Sequence, residues 1–323
     1  MKPAMQKKIV CLLATLLILA AGCSEAAKPA KTVKTIVFIT NTASNFWKIA
    51  QKGCEKADAE LADVNVIVKT AFGSTVKEQE RYINECFTKD DADAIAISPI
   101  DPVGMKDMLD KAAKRTLLIT QDSDAPQSAR RFYIGADNRE AGRKAGELMK
   151  KALPKGGKVM VFVGKELENA QERLAGIREA LAGSKVEILG LMLDDNDVTK
   201  AKENGIEAIE KNPDLAGMIG LWSYNGPAII HAVQNKDMVG KIKIVCFDDD
   251  KETLDGIKDG TIFGTVAQQP FEYGYESVQI LNKVLKGDES VIPENKKIYI
   301  PTVVVQKDNL EEHRGKMEKL IGS

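Results

Sequence analysis

An α/β fold with parallel sheets is the architecture that the sequence predicts, and three observations predict it. Short, continuously apolar runs rich in β-branched residues recur along the chain, longer amphipathic segments of helical period separate them, and polar turns punctuate the joins. A strand that is apolar on both faces must be covered on both faces, and helices between parallel strands supply that cover.

The elements follow in order. The strand-like runs begin with Thr35–Thr40 (TIVFIT), 64–70 (VNVIVKT), Ala94–Ser98 (AIAIS) and 117–120. Lys158–Val163 (KVMVFV), 186–192, 216–221, Lys243–Phe247 (KIVCF) and 262–267 come next. Helical patterns over 46–61, 140–153, 172–181, 198–210 and 271–285 lie between them. A short run at 132–135 leads into Ala136-Asp137-Asn138, where Asp137 or Asn138 suits the N-cap of a new helix. Nine such strands in 323 residues favour two lobes of five or six strands over one wide sheet, with a boundary near Asp137. No internal repeat is strong enough to identify by eye.

The N-terminus has a different character. Lys2, Lys7 and Lys8 precede an apolar run, Ile9 to Gly22. At ~1.5 Å per residue this run spans about 21 Å, short of the ~30 Å hydrocarbon core of a membrane. It reads as an export signal. The sequence Leu19-Ala20-Ala21-Gly22-Cys23 resembles a bacterial lipoprotein signal, which implies acylation of Cys23 and tethering to a membrane surface. Residues 24–34 are a polar linker rich in Ala, Lys and Pro. Cys54, Cys86 and Cys246 lie inside apolar patterns without metal or redox spacing and are expected to be buried and inert.

Charge and composition exclude several classes. Losing residues 1–22 takes three Lys from 46 bases set against 47 acids, so the mature chain is mildly acidic and lacks the footprint of a nucleic-acid binder. Only two His occur, His231 and His313, and no GxSxG, Walker, GxGxxG or HExxH motif or 12-residue calcium loop is present. Neither cofactor nor metal is expected.

Ligands of open α/β sheets collect at the carboxyl ends of strands. There the chain places Ser44, Phe46 and Trp47 after the first strand, Asp122 and Ser123 after the fourth, and Asn169 and Arg173 after KVMVFV. Trp222, Asp248 and Gln268 follow three later strands, so both tryptophans of an aromatic-poor chain (5%) sit at strand ends. Carboxylates and amides bond hydroxyls, Arg offers a fork of donors, and an aromatic face packs on the C–H face of a sugar ring. The set suits a neutral polyhydroxyl ligand. Each residue also has a plainer reading: Asp122 and Asp248 as helix caps, Phe46, Trp47 and Trp222 as packing, and Arg173 as a surface partner of Glu172 or Asn169.

In the order IVFITNTASNFW, AIAISPIDPVGM, ITQDSDAP, YIGADNREAGRKAG, ERLAGIREAL, VCFDDD, TVAQQPFEYGYE and VLKG, the chain resembles the type I periplasmic sugar-binding proteins of the ribose- and galactose-binding branch. The resemblance implies two Rossmann-like lobes with parallel sheets joined by three crossover strands, the type I periplasmic-binding-protein fold. The first lobe would comprise 35–136 and 269–301, and the second 137–268 and 302–310, leaving 311–323 as a charged tail. It implies hinges near 136–137, 268–269 and 300–302, and ligand contacts from Ser44, Phe46, Trp47, Asp122 and Ser123 in one lobe and Asn169, Arg173, Trp222 and Asp248 in the other, with Gln268 at a crossing. Ribose-binding members carry Asn, Arg and Asn where this chain has Ser44, Ser123 and Trp222, which leaves room for a different or larger sugar.

The expectation is an extracytoplasmic, lipid-anchored receptor, working as a monomer, that captures a monosaccharide or similar polyol and delivers it to an ABC transporter permease. Closure would sandwich the ring between Phe46 or Trp47 and Trp222. A sensor of a sugar or furanosyl signal feeding a signalling partner is the alternative. A LacI-type repressor is disfavoured by the signal in place of a DNA-binding domain. A glycosidase using Asp122 and Asp248 as its carboxylate pair is a remote third reading.

Overall fold

The computed structural model describes residues 33–321. The signal segment, Cys23 and most of the linker lie outside the described residues. The chain runs β1 (Lys34–Ile39), α1 (Asn45–Glu60), β2 (Val64–Lys69), α2 (Val76–Thr88), β3 (Ala94–Ile97), α3 (Lys106–Ala113), β4 (Leu117–Gln121) and β5 (Tyr133–Gly135). It continues with α4 (Asn138–Ala152), β6 (Gly157–Val163), α5 (Glu168–Leu181), β7 (Val186–Leu193), α6 (Val198–Lys211), β8 (Leu215–Gly220), α7 (Asn225–Asn235) and β9 (Lys243–Phe247). Then come α8 (Lys251–Asp259), β10 (Gly264–Ala267), α9 (Pro270–Leu285), a 3-10 turn, β11 (Lys297–Tyr299), β12 (Val303–Val305) and α10 (Leu310–Ile321).

Two six-stranded sheets result, ordered β11-β5-β4-β3-β1-β2 and β12-β10-β9-β8-β6-β7. Every pairing is parallel except β12 with β10. The apolar runs explain the layering. Along β1, Ile36 and Phe38 join the core under α1 and α9, while Val37 and Ile39 join the core under α2 and α3, and all four are fully buried. Along β6, Val159, Val161 and Val163 face one core and Phe162 the other.

Apart from the edge strands β11 and β12, the two strand orders are the same list shifted by five, so β1 corresponds to β6, β4 to β9 and β5 to β10. This repeat is invisible in the side chains. The helices that follow β5 and β10 are exchanged: α4 packs on α5 of the second lobe, and α9 packs on α1 of the first. Both contacts are backbone-close at equivalent glycines. A Cβ on Gly53 would stand 2.0 Å from the Phe271 carbonyl oxygen, and one on Gly176 would stand 2.0 Å from that of Arg139.

Three connections pass between the sheets, after β5, after β10 and between β11 and β12. They are laced together: Ile300 N donates to Gly135 O at 2.8 Å, Gln269 Nε2 to Pro301 O at 2.6 Å, and Lys144 Nζ to Thr302 O at 2.8 Å. Asp137 caps α4, its side chain accepting from Glu140 N.

Two expectations at the ends of the chain are corrected. Lys34 belongs to β1 rather than to a linker, because its N–H donates to Asp63 O and its amine pairs with Asp93. The charged tail is helix α10. Leu310 enters the second-lobe core, His313 Nε2 lies 2.8 Å from Asp249 Oδ2, Arg314 pairs with Asp255, and the helix also touches α1 of the first lobe. Its charges decorate one face of a docked helix. Cys54, Cys86 and Cys246 are free and buried, and burial raises all three thiols, Cys86 to about 12.

Candidate functional site

Two aspartates mark the site. Asp122 follows β4 and Asp248 follows the equivalent β9, both with left-handed backbone, φ 59° and 65°. Each N–H is held by the neighbouring strand at 3.0 Å, Asp122 by Ile134 O and Asp248 by Val266 O. Each carbonyl is held by a hydroxyl from the same equivalent position, Tyr133 Oη at 3.0 Å and Thr265 Oγ1 at 2.7 Å. Strained backbone that two lobes repeat and pin in the same way aims a side chain rather than ending a strand. Neither aspartate caps a helix, which removes the plainer reading of both.

In the first lobe, Ser98 Oγ donates to Asp122 Oδ2 at 2.9 Å and Asn41 Nδ2 approaches the same oxygen at 3.4 Å. Asn41 also donates to Ser98 Oγ, and Trp47 Nε1 donates to Asn41 Oδ1 at 2.8 Å. Trp47 is therefore a buried anchor, 4% exposed, edge-on to Phe38 and Phe46, that reaches the carboxylate through Asn41. Phe46 is half-buried, with its ring 6.0 Å from that of Tyr273. The Ser44 side chain makes no capping bond to α1, which leaves its hydroxyl open, and Ser123 is buried beside Asp122.

In the second lobe, Gln268 Nε2 donates to Asp248 Oδ1 at 2.9 Å and Tyr273 Oη donates to Gln268 Oε1 at 3.1 Å. That relay joins the second-lobe carboxylate to an aromatic residue of the swapped helix α9. Arg173 lies in the second turn of α5 and is 2% exposed. Its Nε donates to Asn138 Oδ1 at 2.9 Å, its Nη1 donates to Leu221 O at 2.6 Å, and its guanidinium sits 4.4 Å from the centre of the Phe247 ring. Its charge is met by an amide, a carbonyl and a ring face, not by a carboxylate and not by Glu172. Asn169 is one turn earlier on the same face; its Oδ1 is buried without a donor and it lines a cavity of about 170 Å³ with Asn138, Tyr133 and Tyr299. A roomier groove, about 450 Å³, lies on the charged outer surface of α4 and α5 away from these strand ends.

Burial raises the Asp122 carboxyl to about 6, against the lowering pull of the Ser98 bond, the Arg173 charge and the Asn41 bond. Burial raises Asp248 further, to about 7, opposed by Arg173 and Gln268 and reinforced by Asp249 and Asp122. One buried cation thus acts on a half-buried carboxylate, Asp122, and a buried one, Asp248, without closing an ion pair to either.

Trp222 is half-buried beside this group, its backbone N–H bonded to Asn225 Oδ1 at 3.0 Å. Asn225 and Tyr224 are themselves tied to the fully buried Asp194, at 3.1 Å and 2.6 Å. Asn41, Ser98, Tyr273 and Asp194 are contributors that sequence reasoning missed. Ser98 and Asp194 directly follow β3 and β7, and Asn41 follows β1 after Thr40, the signal that singled out their neighbours. Among the described residues no cluster of three His, Cys, Asp or Glu side chains is placed to hold a metal, and no helix is long and apolar enough to cross a membrane.

The profile of the periplasmic binding protein domain matches residues 36–289. The chain is a periplasmic binding protein. Among its relatives, a ribose import binding protein of Bacillus subtilis is 27% identical over 295 residues, covering 88% of this chain and 94% of the relative. A solute-binding protein of an ABC transporter from Burkholderia graminis, solved in complex with D-arabinose, superposes with a TM-score of 0.80 at 29% identity, covering 88% of this chain and 98% of that one. An arabinose-binding protein of Geobacillus stearothermophilus superposes at 0.76 with 27% identity, covering 87% and 99%. In this binding protein the groups described above sit where open parallel sheets bind ligands, at the carboxyl ends of both sheets.

Proposed function

We infer that this periplasmic binding protein captures a monosaccharide or similar polyol between its lobes and hands it to an ABC transporter permease. One observation carries the reading: Arg173 is buried without a carboxylate partner while Asp122 and Asp248, within reach of its field, are held above the usual carboxylate range. Burying charges costs several kcal/mol each unless hydrogen bonds replace the lost water. Vicinal hydroxyls do this for both signs at once, donating to the carboxylates and accepting from the guanidinium. A ligand anion would meet two carboxylates for one cation. The sugars for which the relatives are named or with which they were solved, ribose and arabinose, agree in class. Periplasmic binding proteins are transport components, and no reaction is assigned to the aspartates.

The remaining parts of the proposal rest on the sequence and on the crossings. Residues 1–22 would direct export, Cys23 would carry the lipid anchor, and the protein would act as a monomer outside the cytoplasmic membrane. The crossings at 136–137, 268–269 and 300–302 would serve as hinges between lobes 35–136 with 269–301 and 137–268 with 302–310. Ser44, Phe46, Trp47, Asp122 and Ser123 would meet the ligand from one lobe and Asn169, Arg173, Trp222, Asp248 and Gln268 from the other. Calorimetric titration with pentoses, hexoses, hexitols and sugar acids tests the class: tight binding of at least one neutral sugar is expected, and binding of none, or of acids alone, would overturn it.

A further inference from the structure

The protein has two tryptophans, and their indole N–H groups differ in one respect. Trp47 Nε1 ends on Asn41 Oδ1, whereas Trp222 Nε1 is buried and has no acceptor. An indole N–H can only donate, and leaving such a donor unmet in the interior costs free energy that a native fold avoids. Several acceptors of the neighbouring residues are already engaged. Arg173 takes Leu221 O, Tyr224 and the Asn196 N–H take Asp194 Oδ1, and Asn225 takes Asp194 Oδ2 while its own Oδ1 holds the Trp222 backbone.

The ring is wedged as well. A Cβ on Gly164 would lie 2.3 Å from Trp222 Cζ3 and 2.6 Å from Tyr224 Oη, and the Tyr224 ring stands edge-on at 6.3 Å. Cζ3 belongs to the benzo end of the indole, so with that end lodged against Gly164 the pyrrole N–H is on the far side of the ring system. The side chain is fixed with its one polar atom unspent, next to the buried Arg173.

We infer that Trp222 recognises the ligand through its indole N–H, as an edge donor to an oxygen of the bound sugar, and not chiefly as a stacking face. This rests on the sugar reading and narrows it. At the position facing Trp222 the ligand presents an oxygen lone pair, so a deoxy position or a protonated amine there is rejected, and that single contact discriminates among sugars.

The test uses the whole protein, 15N-labelled, with its two indole resonances assigned through Trp222→Phe. A neutral sugar that gives binding heat is titrated while both indole protons are followed. The Trp222 proton moves downfield and exchanges more slowly with solvent, and the Trp47 proton, already bonded to Asn41, moves less. In parallel, Trp222→Phe weakens that sugar at least about tenfold, ~1.4 kcal/mol, and one monodeoxy analogue loses a similar factor against the native protein but nothing further against the variant. Binding heat with an unmoved or upfield Trp222 proton overturns the inference alone. Absence of heat with every sugar overturns the functional reading and the inference with it. Should Trp222→Phe fail to fold, Trp47→Phe provides the assignment and the native titration decides.

Discussion

Lowering the pH from 8 to 6 should weaken sugar binding by roughly twentyfold, because two carboxylates must be ionised to accept the ligand's hydroxyls. In the free protein, Asp248 titrates at about 7 under the influence of burial, Arg173, Gln268, Asp249 and Asp122, and Asp122 at about 6 under burial, Ser98, Arg173 and Asn41. Ligand hydroxyls donate to ionised carboxylates, so the complex holds both groups ionised to lower pH and binding releases protons on the acid side. At pH 6 a group of pKa 7 is ionised about one time in eleven and a group of pKa 6 about half the time; the product, roughly 1 in 20, is the expected fall in apparent affinity relative to pH 8. Calorimetry in phosphate and in an amine buffer measures the affinity and, from the difference in heats, the protons released. Asp248→Asn should flatten the dependence to about twofold. A dissociation constant constant within twofold from pH 8 to 6, with no buffer-dependent heat, refutes the argument. The stability of the free protein carries the opposite sign. Carboxyls raised on folding bind protons more tightly when folded, so their contribution is full below the unfolded pKa near 4 and is lost as pH rises through 6 and 7.

Three other perturbations separate the parts of the site. Arg173→Met removes the buried cation shared by both carboxylates and should cost at least about a hundredfold in affinity, ~3 kcal/mol, with the circular dichroism spectrum retained; a loss under threefold by calorimetry would show that the guanidinium is a strut. Gly164→Ala places a methyl into the Trp222 ring and should cost ~1–3 kcal/mol through overpacking, seen as a shifted Trp emission maximum and weaker binding; unchanged emission and affinity would remove the wedge. Truncation after Asn309 deletes α10 and with it the Leu310 core contact and the His313–Asp249 bond; denaturant unfolding should detect a loss of ~2–4 kcal/mol from the core residue, and an unchanged midpoint would mean that the helix only rests on the surface.

The parallel α/β architecture was legible because β1, β6 and β9 are apolar on both faces, a pattern that only two-sided cover satisfies. β11 and β12, three residues each, were not legible, since Lys297–Tyr299 and Val303–Val305 are too short to show a period. α10 read as a tail because its charges outnumber its apolar residues, and a helix held by Leu310 and two cross-chain bonds needs no broad apolar stripe. At the site, Asp122, Asp248 and Arg173 were found from their places after strands. Their functional character was not visible, because the left-handed turns, the relay from Trp47 through Asn41 to Asp122, and the Asp194 platform under Trp222 join residues far apart in sequence. Trp47 and Trp222 looked alike in the sequence, each an aromatic residue after a strand. Only the fold shows one with its N–H spent and the other with it free.

The exchange of α4 and α9 between lobes bears on how the molecule can be made. No single cut divides this chain into two folding pieces. The first lobe needs residues 34–135 and also 270–299, so while the second lobe is being synthesised the small-residue face of α1, with Ala50, Gly53 and Cys54, waits uncovered. Closing a segment of roughly two hundred residues costs little at equilibrium, but it makes completion of the first lobe slow and dependent on the second. A substitution that delays the second lobe is therefore a defect of the first lobe too, and moving one lobe's specificity onto another binding protein means transplanting two separated stretches of chain together.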